Sequence, residues 1–379
     1  MMTYKYKFYR SKRTLKLDAM LREACFVWNH ALALQKRYYS LFGGYINASR
    51  MQKHFAKRVN RTFLYSQTTQ EIIKRLDNSY KRFFEHKSRR PPRFRKERDF
   101  SSIVYWRGGY KLNGNILVIN IINQHFKFAY SRPYSGNVRQ IRIKRNRVGD
   151  FYLYITTDAT SDYYAYRKSH NGASVGMDFG LKTFLTLSNG SRIENPLFLK
   201  SSINELRRKS KALSRTELGS NHHRKRLKDL SLYYERTHNL RNDWQWKVCH
   251  DLCRKFDTIC IEDLNLSGMA MIWGRKVNDI AFGGFVKKLG HVASKYGTEL
   301  IKIDRYYPSS KTCSLCQHIN EKLSLRDRDW ICPKCGAHHD RDFNASINIL
   351  RQGIASSGSA HKTVLARQGA LATGESVAI

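Results

Sequence analysis

Acidic residues are scarce in this chain, and long apolar runs are missing altogether. Only 30 Asp and Glu stand against 69 Lys and Arg, leaving a formal charge of +39 and an isoelectric point near 10.1. A compact protein with that excess repels itself unless a polyanion neutralises it. No apolar run approaches the ~18 residues that a membrane-spanning helix needs. The opening residues carry no secretory leader pattern, and no basic amphipathic helix stands apart from the globular pattern. A membrane partner is therefore not expected. Nucleic acid is, because its phosphates bind cationic side chains with release of counterions. A disulfide framework is also not expected in a basic chain of 379 residues without a leader, although eight cysteines are present. A reducing, prokaryotic cytoplasm fits, with the protein on the nucleoid when it holds DNA. An apolar fraction of 41% with 12% aromatics argues against disorder, and the length suits two or three domains.

The hydrophobic period changes several times along the chain. TYKYKFYR at residues 3–10 alternates as a strand does, and a helical pattern runs from Leu17 to Phe42, ending at Gly43-Gly44. MQKHFAKRV and TTQEIIKRLDNSYKRFFEHK read as further helices, the latter with Thr68 or Thr69 available as N-cap. The Pro-broken basic stretch Arg89–Arg98 reads as a boundary. Short β runs follow to about residue 170: SSIVYW, GNILVINI, QIRIKRN and FYLYITTDA. From Ala173 the pattern is α/β. Two strands and a third after the Asn189-Gly190 turn precede two basic helices broken near Gly219. Then come the strand FDTICIEDL, the helix NDIAFGGFVKKLGHVASKYG, the strand TELIKIDRYY and the helix DRDFNASINILRQGI. The Ser, Gly and Ala-rich tail after Ser356 is expected to be loosely ordered.

Two motifs carry chemistry. Cys313, Cys316, Cys332 and Cys335 form two CxxC knuckles at zinc-ribbon spacing. Four thiolates close a tetrahedral shell, so a Zn²⁺ there is structural. His338 and His339 follow at once; a solvent- or phosphate-facing role is expected of them. The second motif is a set of acids. Asp178 lies in an apolar strand, Glu262 ends another, and Asp342 opens a helix. A buried acid is costly unless it is paired or binds a cation. Three converging carboxylates offer hard oxygens suited to Mg²⁺, and two-metal phosphodiester hydrolysis needs ions about 3.5–4 Å apart. Each acid also has an ordinary reading: Asp342 as a helix cap, Glu262 and Asp263 as solvated charges, and Asp340 as a rival to Asp342.

VGMDFGLKTFLTLSNG, ICIEDLNLSGM, PSSKTCSLCQ and WICPKCGAHHDRDFNASINIL together resemble TnpB, the RNA-guided endonuclease of insertion sequences and a relative of type V CRISPR effector nucleases. FVWNHAL and PPRFRK are similar to that family's opening half. The resemblance implies an α/β RNase H-like (RuvC) nuclease domain at 171–307 and 338–356, interrupted by a zinc ribbon at 308–337. It implies a wedge-type β-barrel at 1–14 and 100–170, carrying a helical recognition insert at 15–99, and leaves 357–379 as a flexible tail. It matches the catalytic acids to Asp178, Glu262 and Asp342 rather than Asp340, with Mg²⁺ as cofactor. It implies a guide RNA from the transposon end, double-stranded target DNA, and one protein copy per RNA. By position, Asn47, Gln67, Gln70, Tyr105 and Trp106 are candidates to read the target-adjacent motif. A cleavage-free RNA-guided repressor and a DDE-type transposase are the alternatives. The intact acids speak against the first, and the zinc ribbon just before the third acid speaks against the second.

Overall fold

The computed structural model describes residues 1–60, 62–88, 90–106, 108–159, 172–180, 182–264, 271, 274, 281–324 and 327–356. The tail after Ser356 and Arg107 lie outside these residues. The chain divides into two compact units, Met1–Tyr163 and Tyr164–Ile379. Among the described residues no helix is long and apolar enough to cross a membrane.

In the first unit, alternation makes β1 (Met2–Lys7) a strand with Tyr4 and Tyr6 buried and Lys5 and Lys7 exposed. The period then becomes helical. α1 (Thr14–Phe42) buries Leu17, Leu21, Ala24, Trp28 and Ala31 along one stripe, and stops where Gly43 takes a left-handed conformation, φ 64°. α2 (Ala48–Arg58) and α3 (Ser66–Phe84) follow. The N-cap of α3 is Tyr65, neither of the threonines expected from sequence. Thr68 and Thr69 fall inside the first turn, where packing buries both hydroxyls. The basic stretch after α3 is tied down: Trp28 Nε1 donates to Arg93 O at 3.1 Å and Asn29 Nδ2 to Arg95 O at 2.9 Å.

The remaining strands of this unit are β2 (Ser102–Tyr105), β3 (Tyr110–Asn113), β4 (Ile116–Ile119), β5 (Gln124–Lys127), β6 (Val138–Arg145) and β7 (Phe151–Thr157). They form two antiparallel sheets, ordered β1-β7-β6-β2 and β3-β4-β5. A single bridge, Phe8 to Phe128, joins them.

The second unit carries β8 (Ser174–Phe179), β9 (Thr183–Leu187), β10 (Arg192–Glu194), α4 (Phe198–Ser214), α5 (Asn221–Lys255), β11 (Thr258–Glu262), α6 (Phe282–Tyr296), β12 (Glu299–Ile303), β13 (Asp329–Ile331), β14 (His338–Asp340) and α7 (Arg341–Ser356). α6 begins at Phe282, after Ala281 at φ 52°; the expected earlier start at Asn278 lies outside the described residues. The sheet order is β10-β9-β8-β11-β12, antiparallel from β10 to β8 and parallel from β8 to β12.

Period-two alternation gives this sheet two different faces. Val175, Met177, Ile259 and Ile261 point to a large core shared with α5 and α6, where Phe184, Phe282 and Phe285 are buried. Each fully buried Phe is worth about 1.5–3 kcal/mol of apolar transfer. The intervening residues face α7, where Cys260, Ile303, Ile349 and Leu350 form a second, smaller cluster. α7 lies against β8 because residue 176 is glycine. A Cβ there would overlap Ser346 O and Leu350 N, both backbone atoms of α7. Gly176→Ala is expected to lower stability by about 1–3 kcal/mol through overpacking, measured by thermal denaturation against the parent protein.

Candidate active site and metal centre

The face covered by α7 also carries the acids. The register of β8 against β11 pairs Gly176 with Cys260 and Met177 with Ile261, which sets Asp178 beside Glu262 on adjacent parallel strands. Both follow Gly176 and Cys260 by two residues, so both project to the α7 side. Asp342 is the second residue of α7, whose N-terminus reaches the same strand ends.

The three carboxylates act on one another electrostatically. Burial raises the Asp178 carboxyl well above the ordinary range, and the charges of Glu262 and Asp342 push it further; Arg341 opposes them. Glu262 is also raised by burial, against the opposing pull of a hydrogen bond donated by the Ser309 hydroxyl. Among the described residues, no Lys or Arg forms a salt bridge with Asp178 or Glu262, whereas Asp342 pairs with Arg328 Nη1 at 2.9 Å and Arg341 Nε at 3.5 Å. Two buried acids without a salt bridge among the described residues, in a chain of +39, are a place where a cation could sit. Their hard oxygens fit Mg²⁺.

The ordinary readings of the neighbouring acids are also settled. Asp340, not Asp342, caps α7: its Oδ1 accepts the Phe343 N–H at 2.8 Å, and its other oxygen pairs with Arg192 at 2.8 Å. Asp263 turns to the surface and pairs with Arg305 at 2.6 Å. Capping and pairing thus hold Asp340 and Asp263 at the surface, while Asp342, itself paired with Arg328 and Arg341, is the one whose charge acts on Asp178.

The four cysteines lie together, with all sulfurs within 4.8 Å of one another. Each knuckle closes in the same way: Gln317 N donates to Cys313 O at 3.0 Å, and Gly336 N to Cys332 O at 2.9 Å. Both of these turn residues take positive φ, 62° and 69°. Burial holds the Cys313 thiol up at about 12. At Cys332 burial acts the same way, but the N–H groups of Cys335 and Lys334 outweigh it and bring the thiol down to about 7. Four soft sulfurs at this separation fit a tetrahedral Zn²⁺.

His339 corrects a sequence expectation. It does not face solvent: it is 8% exposed, its Nε2 lies 3.1 Å from Cys313 Sγ, and its ring sits 4.8 Å from that of Trp330. Alternation along β14 puts His339 in and His338 out, a signal present in the sequence but overlooked there.

The residues proposed for motif reading have mixed fates in the first unit. Gln67 and Gln70 are exposed one turn apart at the start of α3. Trp106 is 47% exposed and its Nε1 donates to Glu71 on the same face at 3.1 Å. Asn47 is exposed, but its Oδ1 caps α2 through the Arg50 N–H at 2.9 Å. Tyr105 is 1% exposed, a core side chain of β2, and burial raises its phenol. It cannot present an edge to a base, which corrects its candidacy.

Two family profiles match the chain. "Cas12f1-like, TNB domain" covers residues 282–349, and "Probable transposase" covers 154–272. Between them they hold all three acids and all four cysteines. Two solved structures share the fold. One is the Cas12f1-sgRNA-target DNA complex, with TM-score 0.57 and 18% identity, over 89% of this chain and 83% of that one. The other is the mini-RNA-guided endonuclease CRISPR-Cas_phi3, with TM-score 0.53 and 9% identity, over 93% and 92%. The fold is thus the one these two structures share.

The resemblance to TnpB read from the motifs holds. The chain is 27% identical over 367 residues to a "Putative RNA-guided DNA endonuclease" of Streptomyces pristinaespiralis, covering 93% of this chain and 90% of the relative. It is 25% identical to the "Putative RNA-guided DNA endonuclease InsQ" of Escherichia coli (strain K12), over 88% and 87%. TnpB-like protein L79 of Acanthamoeba polyphaga mimivirus is 30% identical over half of this chain and 39% of its own length.

Two outcomes are expected. The raised Asp178 carboxyl keeps a proton that the unfolded chain releases above pH 3.8. Its contribution to stability is therefore full at low pH and lost as pH rises through the raised folded value. Without divalent cation, Asp178→Asn is expected to melt higher than the parent near neutral pH, with the difference shrinking on acidification; melting curves across pH check this. At the other centre, Cys332→Ser is expected to lower zinc below one ion per chain, measured by elemental analysis.

Proposed function

We propose that the protein is an RNA-guided DNA endonuclease. A guide RNA from a transposon end selects double-stranded target DNA, and Asp178, Glu262 and Asp342 form the Mg²⁺-binding hydrolytic centre. The observation that carries this reading is the pair of buried acids, Asp178 and Glu262, side by side on one sheet face without a salt-bridge partner among the described residues. The names of the relatives matched over most of their length, and the sgRNA and target DNA of the Cas12f1 complex, support the substrate class.

In this reading β8 and β11 hold two carboxylates rigidly, and the first turn of α7 brings the third. Mg²⁺ bound there supplies an activated water and charge stabilisation at the scissile phosphate. The protein's own part is to fix the oxygens and exclude competing cations. Arg328, about half exposed and paired with Asp342 in this structure, is a cation available to a phosphate at this centre. Cys313, Cys316, Cys332 and Cys335 hold Zn²⁺ as a structural ribbon, with binding worth on the order of 10 kcal/mol in small zinc modules. The first unit serves as a wedge-type β-barrel with a helical recognition insert. In it Gln67, Gln70, Trp106 and the cap residue Asn47 form the surface that reads the target-adjacent motif. The basic helices α4 and α5 meet nucleic-acid backbone, leaving sequence choice to base pairing.

Asp178→Ala is expected to abolish Mg²⁺-dependent cleavage of guide-matched duplex DNA while co-purifying the same RNA as the parent. The checks are a cleavage assay with and without EDTA and sequencing of the bound RNA. Full cleavage by this variant would refute the acid assignment; loss of any defined RNA would refute the guided reading.

A further inference from the structure

Two asparagines of α7 are fully buried one turn apart, and neither contributes to an apolar core. Asn344 is 1% exposed and Asn348 0%. Asparagine is a poor choice for a buried helix face unless its amide is used. Both amides grip the segment leading into the cysteine cluster. Asn344 Nδ2 donates to Thr312 O at 2.7 Å, and its Oδ1 accepts the Ser314 N–H at 2.8 Å, bracketing Cys313. Asn348 Nδ2 donates to Thr312 O at 2.6 Å and to Ser309 O at 2.8 Å. Ser309 itself is 5% exposed, and its hydroxyl donates to Glu262 Oε1. A continuous path of buried hydrogen bonds therefore joins the first knuckle to the second acid: Cys313 with its neighbours, Asn344 and Asn348, Ser309, Glu262.

We propose that Ser309 is a positioning residue for Glu262, held in place by Asn348 and Asn344, so that the fold of the metal-binding knuckle sets the geometry of the acid centre. This rests on the reading of Asp178, Glu262 and Asp342 as the cation-binding centre. The Ser309 hydroxyl occupies one lone pair of Glu262 and fixes the direction of the carboxylate. The serine's backbone is in turn fixed by the N-terminal half of the same helix that carries Asp342 in its first turn. One rigid helix thus sets two of the three acids, one directly and one through the ribbon. Outer partners of this kind orient metal ligands, and their loss costs about 10–100-fold in metal affinity or activity.

The test uses the full-length protein with its RNA. Ser309→Ala, Ser309→Thr and Asn348→Ala are compared with the parent for zinc content, melting temperature, Mn²⁺ binding followed by electron paramagnetic resonance, and single-turnover cleavage. Ser309→Ala is expected to keep its zinc and its RNA, to bind Mn²⁺ about tenfold more weakly, and to cleave about tenfold more slowly at saturating target. Ser309→Thr, which retains the hydroxyl, is expected to recover both, and Asn348→Ala to resemble Ser309→Ala. Parental Mn²⁺ affinity and cleavage in Ser309→Ala would overturn the proposal, as would a folded, zinc-loaded Ser309→Thr no better than Ser309→Ala. Asp178→Ala separates this from the parent reading. If Asp178→Ala is inactive and Ser309→Ala is unaffected, only the positioning role falls; if Asp178→Ala cleaves normally, both fall.

Discussion

The contact on which the second unit depends is backbone against backbone: α7 pressed onto β8 at Gly176. With no side chain between them, Ser346 O and Leu350 N approach the strand as closely as hard-sphere limits allow. Gly353 repeats the device further along, where a Cβ would overlap the Cys260 sulfur of β11. This closeness brings the first turn of α7 to the ends of β8 and β11. It also closes the smaller face of the sheet with few large side chains, leaving room there for polar groups. The buried phenylalanines Phe184, Phe282 and Phe285 lie on the opposite face, where they anchor the sheet to α5 and α6.

The same geometry sorts the acids. Many acids among the described residues pair with a nearby cation: Asp150 with Lys7 and Arg10, Asp77 with Lys81, Asp158 with Arg139, Asp263 with Arg305. With 69 basic residues available, pairing is the default. Among the described residues Asp178 and Glu262 form no such salt bridge, although the charge of Arg341 acts on Asp178. Burial raises both carboxyls, and the charges of Glu262 and Asp342 raise Asp178 further. In the proposed reading, a small divalent ion would relieve the unfavourable electrostatics of this site.

Much of this was legible beforehand, and the failures have identifiable causes. The alternation of SVGMDF and TICIE places Asp178 and Glu262 on strands, and the CxxC spacing predicts the sulfur cluster that the structure forms. The choice of Asp342 over Asp340 came only from family resemblance, because capping is decided by which oxygen meets the Phe343 N–H. That depends on the turn geometry between β14 and α7. Thr68 and Thr69 look like caps by composition, yet tertiary packing starts α3 earlier, at Ser66. Tyr105 fits a base-stacking platform by type, but the inward phase of β2 buries it. The roles of Asn344, Asn348 and Ser309 needed three segments far apart in sequence to be seen side by side, which no local pattern contains.

The position of α7 in the chain has a consequence for synthesis. β8 is made at residue 174, but the helix that covers it is completed only at residue 356, after the ribbon has been threaded through. Pairing so distant in sequence is slow, since the loop must close before the contact is rewarded. On the ribosome, the sheet emerges with one face open and one acid missing. A partly translated chain therefore presents much of its basic surface before Asp342 can join Asp178 and Glu262.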